Sequence, residues 1–543
     1  MLEADLIIVG AGTAGCLLAR RLVEQTSARV VVLEAGPRYP AWALAPPLAG
    51  LRLRPHWSWP QRTVPQRGLQ GREIAIPMGR VVGGTSSVNA MVAAPGPSSD
   101  FDDWDTRGCP GWSAADIAAS LRAVGGELQA PGLPVSAPTF QSPFTTAFLE
   151  ACEQAGLSHT SPFTGGDSQT CGVFPLFQQG GRRCSAAGML TGLARHPRFR
   201  LVTGQTVRRV VFRRQVAVGV EVQAGARLST LQATTGVILC TGALRTPHLL
   251  QCSGVGPAAL LTEAGIPLEL DQPAVGRGLQ DHVGAPLVIE SRVASPGRPA
   301  RWLPAALQWL FQRSGVMTSN CCEAGCFLGP ASTPPSGEIF THFQTHRRSG
   351  AVELMCVLLQ PASRGTVRID PAAPWGPPRI DPAYLTEPSD RVALRQLVDQ
   401  ARDIVNQPAL RRFGLGAELL PGDVPWDRYL PAHASTCHHP VGSCRMGTGP
   451  DTVVDPHLRV RGLAGLWVVD NSIAPIIPRG HTASTALIIA EQAARLIAAQ
   501  LSGSVSSSGV AGGSPPPRRE PPDCPTPPDA LPPDHAGGAA PRA

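Results

Sequence analysis

Asp5-Leu-Ile-Ile-Val9 runs without a break into Gly10-Ala-Gly12-Thr-Ala-Gly15, and this junction decides the fold. A short uninterrupted apolar run reads as a strand buried on both faces, as in parallel sheets. Cys16 to Glu24 then repeats its apolar residues at helical spacing. Arg29-Val-Val-Val-Leu33 is a second such strand, and it ends on Glu34. The result is a complete β-α-β unit. In such a unit the first glycine makes the turn, the second lets a pyrophosphate approach the backbone, and the third lets helix pack on strand. Glu34 stands about twenty residues past the last glycine, where a carboxylate accepts from the hydroxyls of an adenosine ribose. The pattern predicts a cofactor containing ADP, with NAD and FAD both open.

Working outward, 543 residues exceed what one core usually serves, and 43% hydrophobic with 16% charged is a globular composition. The net charge of +7 comes entirely from arginine, since the chain has no lysine. No basic run suggests a nucleic-acid partner. The 14 cysteines follow no repeated spacing, which suits reduced thiols in a cytoplasmic protein. No basic segment followed by an apolar one marks a secretion signal, and no apolar run reaches the length of a membrane span. Residues 502–543 collapse to Ser, Gly and Pro and read as a disordered tail.

A second glycine- and hydroxyl-rich loop runs Gly79-Arg-Val-Val-Gly-Gly-Thr-Ser-Ser-Val-Asn89-Ala-Met91. Such a run lets backbone N–H groups close on a flat or anionic ligand. Ser113 and Asp116 read as a capping box opening a short helix. β-like segments follow from Arg200, and Val237-Ile-Leu-Cys240 returns to a parallel-type buried strand, so the nucleotide domain is expected to be discontinuous. Runs at 285–293, 338–346 and 351–360 suggest an antiparallel sheet in a second, α+β domain. Arg391 to Val405 carries a helical apolar stripe.

The chemistry is expected between Thr436 and Gln500. His439 and His481 each ride on a Pro/Gly-shaped connection, and His481 precedes a long helix, Ala483 to Gln500. A helix N-terminus concentrates unpaired N–H groups and partial positive charge. A neutral imidazole can take an alcohol's O–H proton near neutral pH. On an extended segment His438 would point away from His439. A metal site from Cys437, His439 and Cys444 lacks paired C-x-x-C spacing. Cys321, Cys322 and Cys326 read as core thiols. Glu323 is either a structural hydrogen-bonding group or a carboxylate of the substrate pocket.

These pieces together resemble the glucose–methanol–choline (GMC) flavoprotein oxidoreductases over nearly the whole chain to about residue 498. Gly79 to Met91 looks like the family's first signature and Gly242 to Pro257 like its second. His439-Pro-Val-Gly-Ser-Cys-Arg-Met-Gly resembles its catalytic segment. Thr318 to Phe327 is similar to the substrate-pocket strand of choline-dehydrogenase-like members. The resemblance implies an α/β fold with a Rossmann-like FAD-binding domain and a second domain on an antiparallel sheet. The regions are 1–284, 285–354 and 355–498.

It also implies oxidation of a small-molecule alcohol, with His439 as base and His481 as alkoxide partner. The reverse division stays open, and the electron acceptor is unknown, with dehydrogenase favoured over oxidase. Carried onto this chain, the FAD contacts are Gly10, Gly12, Thr13, Ala14, Gly15, Glu34, Ala35, Gly36, Arg80, Val81, Gly83, Gly84, Thr85, Asn89, Ala90, Met91, Val92, Val207, Asp470, Asn471, His481 and Thr482. Members with flavin bound covalently through histidine carry it where this chain has Val88, so FAD is expected to be non-covalent. Light-driven fatty-acid decarboxylation, and a flavin-binding partner without turnover, are the alternative readings.

Overall fold

The computed structural model describes residues 4–39, 45–50, 57–123, 129–130, 133–291, 302–343 and 350–503. The expected tail lies, from residue 504 on, outside the described residues. Two sheets organise the chain. In the first, strand Ala4–Val9 pairs in parallel with Val30–Glu34 on one side and Arg227–Leu239 on the other. Ile7 therefore lies opposite both Val31 and Val237. Phe199–Thr203 extends the sheet past Val30–Glu34, and Leu466–Val468 joins the far side of Arg227–Leu239, both in parallel. Apart from the half-buried Asp5, its strands Ala4–Val9 and Val30–Glu34 are buried, as their apolar runs require.

The 13 residues of Arg227–Leu239 serve two purposes. The C-terminal half belongs to the parallel array, while the N-terminal half pairs antiparallel with Val216–Ala224, which pairs with Thr206–Arg213. Helices Thr13–Gln25 and Thr482–Leu501 pack together beside this sheet, joined by Arg21 Nε to Glu491 Oε2 at 2.7 Å.

The second sheet has the order Glu418–Leu420, Val283–Glu290, Ala351–Leu358, Gly337–Thr341, Ala324–Leu328, Thr170–Val173, Ser158–His159. Its pairings are antiparallel except the last. Ser435–Thr436 adds to the start of Val283–Glu290. Helices Pro388–Val405 and Pro143–Gln154 pack on it, and a separate apolar core fills the space between. Within the described residues the expected apolar runs form Val283–Glu290, Gly337–Thr341 and Ala351–Leu358, while 292–293 and 344–346 lie outside those residues. The Ser113/Asp116 box forms, with Ser113 Oγ donating to Asp116 Oδ2 at 2.6 Å, and the helix it precedes is the short Ala118–Leu121. Segments of the two sheets alternate along the chain, so the discontinuity expected of the nucleotide domain is real.

Candidate active site

A cavity of about 670 Å³ lies between the two sheets. It is bounded by the Gly10–Ala14 turn, Glu34, the loop from Gly84 to Val92, Val207, Asn320 to Cys322, Glu338, the His438/His439 segment and His481. Gly10 adopts φ +102°, and a Cβ there would meet Cys240 O at 2.5 Å. A Cβ on Gly15 would lie 2.0 Å from Gly10 O. The first glycine is thus a turn requirement and the third a packing requirement.

Glu34 is buried, and its oxygens accept from Ala11 N at 2.9 Å and Gly36 N at 2.8 Å. Burial pushes its carboxyl above the ordinary value, opposed by those N–H groups and by the charge of Arg80. Of the residues expected around a cofactor, Gly15, Gly36, Arg80, Val81 and Gly83 stand behind the cavity wall. The rest reach its surface. Val88 also faces the cavity.

His439 and His481 meet at its inner end, with ring centroids 5.1 Å apart and planes crossed at 78°. A third histidine, missed in the sequence, stands behind them. His282 Nδ1 lies 2.9 Å from His439 Nδ1, and His282 Nε2 lies 3.1 Å from Pro478 O. A carbonyl oxygen only accepts, so the His282 proton is on Nε2 and its Nδ1 carries a lone pair. His439 Nδ1–H donates to that lone pair, which leaves His439 Nε2 as an acceptor. Burial holds His282 neutral, with its pKa pushed down to about 3, and the charge of His481 adds to the effect. Burial first, then the charge of His481, also hold His439 well below the usual imidazole range.

The segment opening strand Val283–Glu290 ties both histidine loops together. Asp281 Oδ1 accepts from His439 N at 2.8 Å, while Oδ2 accepts from the hydroxyls of Thr436 and Tyr384. Gln280 exchanges backbone hydrogen bonds with Val441 and accepts from Ile477 N at 3.1 Å. Burial raises Asp281 to about 6. The visible signal was Gln280-Asp-His282, three consecutive polar residues at the head of an apolar strand. Buried polar groups in such a place need partners.

His481 is the N-cap residue of the final helix, and its N donates to Ala94 O at 2.8 Å. Its Nε2 lies 3.1 Å from Glu338 Oε1, on strand Gly337–Thr341. Of the two glutamates, Glu338 lines the cavity and Glu323 does not. Glu323 is fully buried elsewhere and accepts from Ser142 N at 2.7 Å, Thr145 Oγ1 at 2.6 Å and Ser319 Oγ at 2.8 Å. It fixes the start of helix Pro143–Gln154 and is the structural group of the two readings.

His438 departs from the expected alternation. Its φ of +63° bends the segment, with His438 N donating to Thr436 Oγ1 at 2.8 Å, so that His438 and His439 both face the cavity. Burial within the cleft, with His342 across from it, pushes its pKa down to about 4. Cys321, Cys322 and Cys437 contribute thiols to the wall, whereas Cys326 is buried in its strand.

The family model described as GMC oxidoreductase matches residues 4–284 in its N-terminal part and 361–490 in its C-terminal part. This chain belongs to the GMC oxidoreductase family. The GMC chain is 35% identical over 532 residues to "Alcohol dehydrogenase [acceptor]" of Pseudomonas putida, covering 91% of this chain and 95% of that one. It is 33% identical, with the same coverage, to "Oxygen-dependent choline dehydrogenase" of Sinorhizobium fredii. Among solved structures it is similar to pyridoxine 4-oxidase from Mesorbium loti, with TM-score 0.81, 30% identity, 91% of this chain and 99% of that chain covered.

GMC oxidoreductases bind FAD, and the residues present fit that group. The dinucleotide turn and Glu34 match the adenosine half. Near the two histidines the cleft holds a buried Asn471 Oδ1 with no hydrogen-bond partner among the described residues, an atom that a polar ring edge would satisfy. Asn471 is held in place by its Nδ2, which donates to Thr482 O at 2.9 Å. Asp470 accepts from Gly242 N at 2.8 Å and Thr246 Oγ1 at 2.6 Å, which anchors the loop that carries Asn471.

Proposed function

We propose that this flavoenzyme oxidises the CH–OH group of a small alcohol to a carbonyl, with His439 as the base and FAD held without a covalent bond. The observation that carries the assignment is the chain Pro478 O, His282, His439, which leaves a bare Nε2 on a neutral imidazole at the cavity. That nitrogen accepts the alcohol's O–H proton. Bound FAD supplies the hydride acceptor, flavin N5.

His481 takes the other role. With Nε2–H donated to Glu338, it holds an alkoxide through Nδ1–H, which requires both ring protons. The buried Glu338 carboxylate is the matching counter-charge. A positive His481 stabilises the developing alkoxide and keeps His439 unprotonated until substrate arrives. Once formed, the alkoxide's own negative charge supports the proton on His439. The N-terminus of helix Thr482–Leu501 adds positive potential at the same end.

Val88 supports non-covalent binding, because an aliphatic side chain at the cavity wall forms no bond to a flavin. The dehydrogenase assignment follows the Pseudomonas putida relative, whose name specifies an acceptor, over the Sinorhizobium fredii relative, whose name specifies oxygen. The test is anaerobic mixing of the yellow protein with a panel of alcohols. Flavin bleaching is expected with at least one, and FAD should leave the precipitated chain on acid denaturation. Colour retained by the precipitate, or peroxide formed in step with carbonyl in air, would overturn the covalency or the acceptor assignment respectively.

A further inference from the structure

Helix Trp302–Gln312 contains no charged residue. One side of it is anchored: Ala305 and Trp309 are each 8% exposed, and Trp309 Nε1 donates to Gly181 O at 2.8 Å. The other side carries Leu303, Leu307, Leu310 and Phe311, at 71%, 45%, 51% and 79% exposed. Their spacing sets them along one strip of a helix roughly 16 Å long. No other described element carries more than one large apolar side chain this exposed. Single exposed apolar residues are ordinary, but a contiguous strip marks a docking surface.

We propose that this helix lies in the interface of an anionic phospholipid bilayer and holds the protein on the membrane surface. Charge around it favours that occupant. In sequence the helix is flanked directly by Arg301 and Arg313, and no acidic residue lies between Ser291 and Cys322. Arg313 packs over the Trp309 ring at 4.1 Å from its centroid, and Arg182, next to the Gly181 anchor, is exposed. The short helix Pro47–Gly50 packs against Val316–Thr318 beside it. A second copy of the chain would bring the same basic residues against themselves, whereas anionic headgroups complement them.

An apolar strip rimmed by cations is the pattern of helices that lie in the plane of the membrane. A helix of this length is too short for the roughly 30 Å hydrocarbon core, and no described helix qualifies as a span. One turn later the chain reaches Asn320, Cys321 and Cys322 in the cavity wall. Docking therefore brings that wall close to the lipid. The proposal is independent of the alcohol-oxidation reading.

The test is flotation of the flavin-loaded protein with phosphatidylglycerol–phosphatidylcholine vesicles, compared with phosphatidylcholine alone. The wild type should float with the anionic vesicles, less so in about 0.5 M salt, where the Debye length is only a few ångströms. The double variant Leu307→Glu, Phe311→Glu should lose at least tenfold in bound fraction, with flavin content and melting temperature unchanged. The proposal is overturned if the wild type stays at the bottom of the gradient, or if the variant floats as well as the wild type. Sedimentation that shows a dimeric wild type and a monomeric variant would assign the strip to a second copy and overturn it equally.

Discussion

Replacing His282 with Phe removes the acceptor of His439 Nδ1–H while keeping a ring of similar size at a site that is 1% exposed. Leaving one buried donor unpaired costs about 1–3 kcal/mol. At 1.36 kcal/mol per decade, that predicts flavin reduction slower by roughly 5- to 150-fold. His439→Ala removes the base itself and should cost about two to four orders of magnitude. Because His282 is 2.9 Å from His439 and acts through it, the two effects should not add. The double variant should match His439→Ala within a factor of about two.

Anaerobic stopped-flow bleaching of the flavin with a good alcohol substrate measures all four rates. Flavin content and the circular dichroism spectrum check that each variant is folded. If the double variant is slower than His439→Ala by the full factor of the His282 single change, His282 has a separate role. The tautomer argument then fails.

Acidification should leave the base working below the ordinary imidazole range. His439 is held low by burial and by His481, so its neutral form persists as pH falls past about 6.5. The acid limb of kcat/KM should therefore lie below that value, and a limb centred above pH 7 would refute it. Glu338→Leu should slow flavin reduction more than Glu338→Gln, since only the amide keeps an oxygen for His481 Nε2–H; equal effects would argue against that contact. Asp281→Ala strands the Thr436 and Tyr384 hydroxyls and His439 N, which should cost about 3–5 kcal/mol of stability. A fall of under 1 kcal/mol in chemical denaturation would show that water replaces the carboxylate. His438→Ala should raise KM more than it lowers kcat, because the side chain faces the cavity while His439 keeps its own partners.

The nucleotide half was legible because its signals are local: an apolar strand, three spaced glycines and an acid at the end of the next strand. The antiparallel sheet could be read as separate strands, since each carries its own apolar run. What failed depended on long-range placement. Glu323 and Glu338 sit in similar apolar surroundings in the sequence, and only the packing of the strands shows which one faces the cavity. His438 defied strand alternation because a positive φ in a non-glycine residue leaves no mark in composition. Asp281 and His282 are separated from His439 by more than 150 residues, so their partnership is invisible before the loops meet.

The strand Leu466–Val468 arrives last in a sheet whose first strand begins at Ala4. A ribosome has therefore displayed the glycine turn and Glu34 long before it releases Asp470, Asn471 and His481. A chain stalled or clipped before that strand has half a nucleotide cleft and no inner end to close on a ring.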